Sequence, residues 1–225
     1  MKALEKWLLP PTCVVSRQLA ERFDLSESIL QTLEKPKEVC PICCEPSREG
    51  TVCGACITQP PAFDRTQVGF YFADPLSQLV YDLKYHQKAA NARLLAEMVA
   101  EEFDALGVQA LLPVPTHPLR RRKRGFNQAE LIANELGCLL KIPVLTKCLK
   151  RVKDTPSQTH LTAKQRHQNL TKAFQVNVEY FDRLSHIALV DDVITTGATM
   201  QTVAHDIKRH TQVDQVQAWA IAKTK

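Results

Sequence analysis

The sequence predicts an α/β protein, a largely parallel sheet flanked by helices and preceded by a small four-cysteine zinc module. From about Phe63 onward, apolar runs of strand length alternate with helical stripes, the pattern of parallel strands joined through helices. Before that point, the motif Cys40-x2-Cys43-x9-Cys53-x2-Cys56 lies in a segment broken by seven prolines and glycines between 36 and 61. Over 225 residues, 44% hydrophobic and 24% charged side chains provide for one full α/β domain and a small appendage. The boundary is placed at 62, with the helix and cysteine module in 1–62 and the α/β domain in 63–225.

In chain order, 16–35 reads as a polar, weakly amphipathic helix with Leu19, Phe23, Ile29 and Leu33 turned inward. Segment 36–62 has no sustained period, so a metal must supply what its core cannot. Val68 to Phe72 reads as a strand. Leu76, Leu79, Val80 and Leu83 follow at i, i+3, i+4 and i+7, a helical stripe. A second helix is expected over 91–103. The run 110–115 reads as a buried strand stopped by Pro113 and Pro115. Asn127-x-x-Glu130 resembles a capping box and opens a helix with Ile132, Leu136, Leu139 and Leu140 on one face. Thr162-x-x-Gln165 repeats the signal for a short helix to Leu170, and 150–160 reads as a mobile loop. Strands are expected over 173–178, 186–190 and 216–222, with a helix after Thr199 that buries Met200, Val203, Ala204 and Ile207. No internal repeat is apparent.

Composition limits the function classes. No apolar run approaches the roughly 18 residues of a membrane span, and Glu5 interrupts the short apolar start, so neither membrane insertion nor a secretory signal is expected and the cytoplasm is the implied location. In that compartment cysteines stay reduced. Two Cys-x2-Cys pairs give four thiolates, a closed tetrahedral set for one structural zinc. Cys138 and Cys148 sit among apolar residues and read as packing residues.

The net charge of +5 is unevenly spread: 117–172 holds 13 Lys and Arg against 3 Asp and Glu, while the remainder holds 16 against 21. The run Arg120, Arg121, Arg122, Lys123, Arg124 points to an anionic partner, a small phosphorylated ligand or nucleic acid. Phe126 and Tyr85 are the candidate aromatics for stacking on single strands. The other chemical focus is Asp191-Asp192-Val193-Ile194-Thr195-Thr196-Gly197-Ala198-Thr199, which joins a buried strand to a helix. Neighbouring carboxylates can accept hydrogen bonds from ribose hydroxyls. The hydroxyls of Thr195, Thr196 and Thr199, the backbone N–H groups and Gly197 can surround a phosphate at the helix start.

The segment from Val190 to Thr199 resembles the phosphoribosyl-pyrophosphate signature of type I phosphoribosyltransferases. Arg124-Gly125-Phe126-Asn127-Gln128 and Arg151-Val152-Lys153-Asp154-Thr155-Pro156-x-Gln158-x-x-Leu161 resemble elements of the ComF family. So does Arg166-x-x-Asn169-Leu170-x-x-Ala173-Phe174. With the cysteines, the likeness extends from Pro10 onward; it implies that Cys13-x2-Ser16 is a degenerate further cysteine pair and that Cys44, in the place of a more usual glycine, could substitute for a neighbouring ligand. It implies a phosphoribosyltransferase fold in which Asp191 and Asp192 meet the ribose and Thr195, Thr196, Gly197 and Thr199 meet the 5-phosphate. Pro113 to His117 would hold pyrophosphate, Mg²⁺ would bridge the ligand's oxygens, and Lys84 and Arg124 would be further charge partners. It also implies a role in natural competence, contact with imported single-stranded DNA, and a competence helicase or inner-membrane DNA channel as partner. The alternative reading is an active phosphoribosyltransferase that releases pyrophosphate; a sequence-specific zinc-finger regulator fits poorly, since no helix-turn-helix is present.

Overall fold

The structure, a computed structural model, describes residues 12–20, 23–153 and 173–225. Its first elements are α1 (Glu27–Thr32), α2 (Gly54–Thr58), β1 (Arg65–Tyr71), α3 (Leu76–Tyr85), α4 (Ala90–Ala100) and β2 (Ala110–Pro113). Then come α5 (Pro118–Arg124), α6 (Gln128–Leu140), β3 (Leu149–Arg151), β4 (Phe174–Val176), β5 (His186–Ile194), α7 (Ala198–His210) and β6 (Gln215–Lys223).

Four strands form a parallel sheet in the order β1-β6-β5-β2. The sheet is buried on both faces, which is why β2, β5 and β6 read as nearly continuous apolar runs. One apolar core gathers Leu79, Leu83, Leu95, Ile132 and Leu136 under α3, α4 and α6. The other gathers Met200, Val203, Ala204 and Ile207 of α7 with Phe174 and Phe181. Trp219 of β6 is wholly buried, its ring 5.0 Å from Phe103 and its indole N–H donating to Gln217 Oε1 at 2.8 Å. Gly69 lets α4 lie close on β1: a Cβ there would stand 2.3 Å from Val99 Cγ1.

Several expectations are corrected. The helix expected over 16–35 is confined to Glu27–Thr32; left-handed backbone at Arg17, Phe23 and Asp24 breaks any longer helix, and Leu19 is exposed. Asn127 begins α6, but its side chain caps no helix N–H. It donates to Val114 O at 3.0 Å and accepts from Thr116 Oγ1 at 2.9 Å, pinning the segment after β2. Leu139 is exposed, as is Cys138, because both fall on the outer face of α6. Lys150 and Arg151 belong to β3, which pairs antiparallel with β4 in a separate two-stranded sheet. The helix expected over 162–170 and most of the loop expected over 150–160 lie outside the described residues.

Among the described residues, no helix is long and apolar enough to cross a membrane.

Candidate functional site

The strand expected to end at Val190 continues to Ile194, because β6 offers pairing partners as far as Lys223. Asp191 and Asp192 therefore sit on β5 itself, and the turn shrinks to Thr195, Thr196 and Gly197. Gly197 has φ 72°, the left-handed conformation glycine adopts without strain, and immediately precedes α7. Thr195 and Thr196 are exposed, and Thr199 is half-buried in the first turn of α7. These groups line an open cleft of about 700 Å³ at the carboxyl ends of the strands, where open α/β sheets gather ligands. Lys84, Arg120, Arg124, Pro115, Thr116 and Lys223 line the same cleft.

Lys84 Nζ lies 2.5 Å from Asp192 Oδ2, and both side chains are largely shielded. Burial favours neutral Asp192, but the Lys84 ammonium outweighs it and holds that carboxyl below the ordinary value. Asp191 is driven the other way, well above the usual carboxylate range, by burial and by the neighbouring Asp192 charge. The backbone N–H of Asp192 donates to Asp191 Oδ1 at 2.8 Å. Lys84 thus favours the charged form of Asp192, while burial and that neighbouring charge make Asp191 the harder of the two to ionise. Lys84 reaches in from the last turn of α3, which Asp82 secures by accepting from Lys88 Nζ at 2.7 Å and pairing with His86 Nδ1 at 2.8 Å. Those two partners hold the Asp82 carboxyl down to about 2.

The ligand atoms of Cys40, Cys43, Cys53 and Cys56 all lie within 4.8 Å of one another, a set that can hold one metal ion. Cys40 and Cys43 come from a tight turn, and Cys53 and Cys56 from the start of α2. Cys44 is buried but lies outside the cluster, as does Cys13. The turn is fastened to the sheet: Thr66 N donates to Pro41 O at 3.0 Å and Thr66 Oγ1 to Ile42 O at 2.5 Å. Glu45 pairs with the nearly buried Lys223 at 2.7 Å, and both line the cleft. The cysteine turn therefore forms one wall of that cleft.

Arg120 to Arg124 occupy α5, which Gly125 ends with φ 86°. Arg120 and Arg124 face the cleft; Lys123 lines an adjoining hollow of about 360 Å³ with Lys84 and Tyr85. Arg121 lies 3.6 Å from Glu130, and Arg122 is exposed. Arg124 stacks over the Tyr85 ring at 5.0 Å and reaches its hydroxyl at 3.3 Å. Tyr81 lies 4.7 Å from Tyr85, and both rings are about half exposed. Phe126, the other stacking candidate, packs against the core instead.

No protein-family model matches the chain. Among curated proteins it is 36% identical over 179 residues to "Competence protein F" of Haemophilus influenzae, covering 76% of this chain and 78% of that protein. It is 33% identical over 194 residues to "DNA utilization protein YhgH" of Salmonella typhimurium, covering 83% and 84%. The Escherichia coli protein of the same name is 32% identical over 196 residues, covering 84% and 85%. The chain belongs to the ComF family.

In this ComF-family chain the structure places Asp191, Asp192, Thr195, Thr196, Gly197, Thr199, Lys84, Arg120 and Arg124 around one cleft. Sequence reasoning missed Lys223, Glu45 and Tyr81. The one available signal for Lys223 was a lone charge closing an apolar strand; Glu45 gave none, since its partner is 178 residues away.

Proposed function

We propose that this chain is a cytoplasmic, competence-associated protein that binds phosphoribosyl pyrophosphate with Mg²⁺ in the cleft and single-stranded DNA on the basic surface beside it. The observation that carries the reading is the meeting, at the carboxyl ends of parallel strands, of the Asp191–Asp192 dyad, the 195–199 turn and the α5 cations. Asp191 and Asp192 would take the ribose hydroxyls, and Thr195, Thr196, Gly197 and Thr199 the 5-phosphate. Pyrophosphate would lie toward Pro113 to His117, with Lys84 and Arg124 as charge partners. The carboxylates are hard oxygen donors of the kind Mg²⁺ accepts; since Lys84 already offsets Asp192, the ion would arrive chiefly on pyrophosphate oxygens. The DNA-related part draws on the names of the relatives, a competence protein and DNA utilization proteins, and fits a helicase or inner-membrane channel as partner.

We assign zinc to the cysteine cluster. Four sulfurs at the Zn–S distance of about 2.3 Å stand roughly 3.8 Å apart in a tetrahedron, and Cys43 and Cys53 are 3.6 Å apart. Four thiolates leave no open position, so the metal's role is structural, and 1–62 serves as an appendage to the ligand-binding unit 63–225.

Calorimetry with phosphoribosyl pyrophosphate and Mg²⁺ tests the cleft. Binding is expected for the parent and lost, at least 100-fold, in the folded Asp191→Ala/Asp192→Ala variant; equal binding by both refutes the assignment. A pyrophosphate-release assay with nucleobases, amines and DNA then decides whether the bound ligand turns over.

The DNA surface has its own measurement. Five neutralised phosphates give single strands a log–log salt slope of about −3.5, or roughly 100-fold weaker binding between 50 and 200 mM salt. Replacing Arg120 to Arg124 by Gln removes most of that slope; a flat salt response in the parent sinks the proposal.

A further inference from the structure

The outer face of α3 is aromatic where its inner face is aliphatic. Leu76, Leu79, Val80 and Leu83 turn inward and are buried in the core. Tyr81 and Tyr85, one turn apart, fall on the opposite side and stay about half exposed. Of the tyrosine, phenylalanine and tryptophan rings among the described residues, Tyr180 is the one other that is exposed, so two of the three stand together.

The two rings belong to a longer row. Tyr81 lies 4.7 Å from Tyr85, and the His86 ring meets Tyr81 edge-on at 5.4 Å. At the other end, Arg124 Cζ stands 5.0 Å over the Tyr85 ring. The guanidinium is held there by donating to the Tyr85 hydroxyl at 3.3 Å and to Gln128 Oε1 at 3.2 Å. A guanidinium plane fixed over a ring extends the flat surface and adds positive charge to it.

Beside this row lies the hollow of about 360 Å³, lined by Lys84, Tyr85, Gln87, Arg120, Lys123 and Arg124. Its lining has four cations and no carboxylate, and it shares Lys84, Tyr85, Arg120 and Arg124 with the main cleft. Tyr85 therefore borders an anion-attracting hollow on one side and the Tyr81 ring on the other. A ligand matched to both must carry a phosphate next to a flat, apolar face. The nucleotides of an unpaired strand do so at every repeat. A duplex keeps its base faces stacked on one another, and an acidic peptide would meet the cations while leaving the rings uncovered.

We propose that Tyr81, Tyr85 and the Arg124 guanidinium form a shelf on which unpaired bases of single-stranded DNA stack, with the adjoining phosphates in the hollow of Arg120 and Lys123. The inference rests on the single-stranded DNA reading of the basic surface and adds to it what the α5 cations do not supply, a hold on the bases themselves.

Binding of the full chain to oligothymidylate, and to an abasic strand with the same number of phosphates, tests it by fluorescence anisotropy. Stacking is worth roughly 5- to 100-fold for each base, so the parent should bind oligothymidylate at least about 10-fold more tightly than the abasic strand. Tyr81→Leu/Tyr85→Leu should lose that preference while keeping the abasic affinity and its salt slope, because the cations remain. Tyr81→Phe/Tyr85→Phe, which keeps both rings, should restore the preference. A parent that binds both strands equally, with a steep salt response, overturns the shelf and leaves the basic surface standing. So does a folded leucine variant that retains the preference for bases. The comparison of strands on the parent needs no variant, so it decides even if the leucine variant fails to fold. A parent with a flat salt response sinks the basic-surface reading and the shelf with it.

Discussion

Cys56→Ser is expected to strip the cysteine module of its metal and release it from the sheet. Three thiolates bind zinc far less well than four, and the segment 36–62 offers little apolar burial of its own. Structural zinc supplies apparent free energies of about 10–16 kcal/mol in small modules, much more than the remaining links can replace. Those links include the two Thr66 hydrogen bonds, the Glu45–Lys223 ion pair, the Ala62 N–H donated to Gln201 Oε1 at 2.6 Å, and the packing of Ile42 and Ala62 on the core. Lys223, nearly buried, would lose its counter-charge when the turn lifts away. The expected result is zinc close to zero, a melting temperature lower by about 10 °C for a loss of a few kcal/mol, and weaker ligand binding through the lost wall of the cleft. Metal analysis and thermal melts read it directly; full zinc and unchanged melting would remove the structural-metal assignment.

Lys84→Met is the second large effect, with a characteristic pH signature. Removing one member of a shielded ion pair costs about 3–5 kcal/mol, because the other is left without compensation. In the parent, Asp192 is held below its ordinary value of 3.8 by Lys84, so its contribution is present above that value and fades as pH falls through the lowered one. Asp191, raised by burial and by Asp192, contributes in the opposite sense: fully below 3.8, and less as pH rises through its folded value. Without Lys84, burial and mutual repulsion raise both carboxyls. Both then favour the folded state below 3.8 and disfavour it as pH rises. The variant should therefore be much less stable than the parent at neutral pH and regain stability on acidification toward about pH 4. Urea unfolding at the two pH values checks this; an equal deficit at both would mean that Lys84 acts through packing alone.

How far the sequence could be read depends on how local each determinant is. The α7 stripe of Met200, Val203, Ala204 and Ile207 and the buried β2 run are periodic over a few residues, and both stand as expected. The cysteine spacing was equally legible, because four sulfurs at those intervals have few other uses. The end of β5 was not: Asp191 and Asp192 look like loop residues until β6 provides partners through Lys223. Asn127 read as a helix cap because its neighbours fit one, yet its side chain answers to Val114 and Thr116, which precede it by more than ten residues. Where a helix was expected over 16–35, the spacing of apolar residues concealed a turn from Cys13 to Gln18, whose hydrogen bonds and left-handed Arg17 leave no periodic trace. The wall of the cleft made by Glu45 was hidden for the same reason.

The order of strands has a consequence for biosynthesis. β1 is made well before β6, yet β6 lies between β1 and β5 and is the strand to which β1 pairs. Gln67 and Gln217, hydrogen-bonded side by side at 2.6 Å, are 150 residues apart in the chain. Until β6 has been translated, β1 has an unsatisfied edge and waits for residues far downstream. Such long-range closure slows assembly and exposes strand edges meanwhile. A premature stop ahead of Gln215 would therefore deprive β1 of its one sheet partner among the described residues.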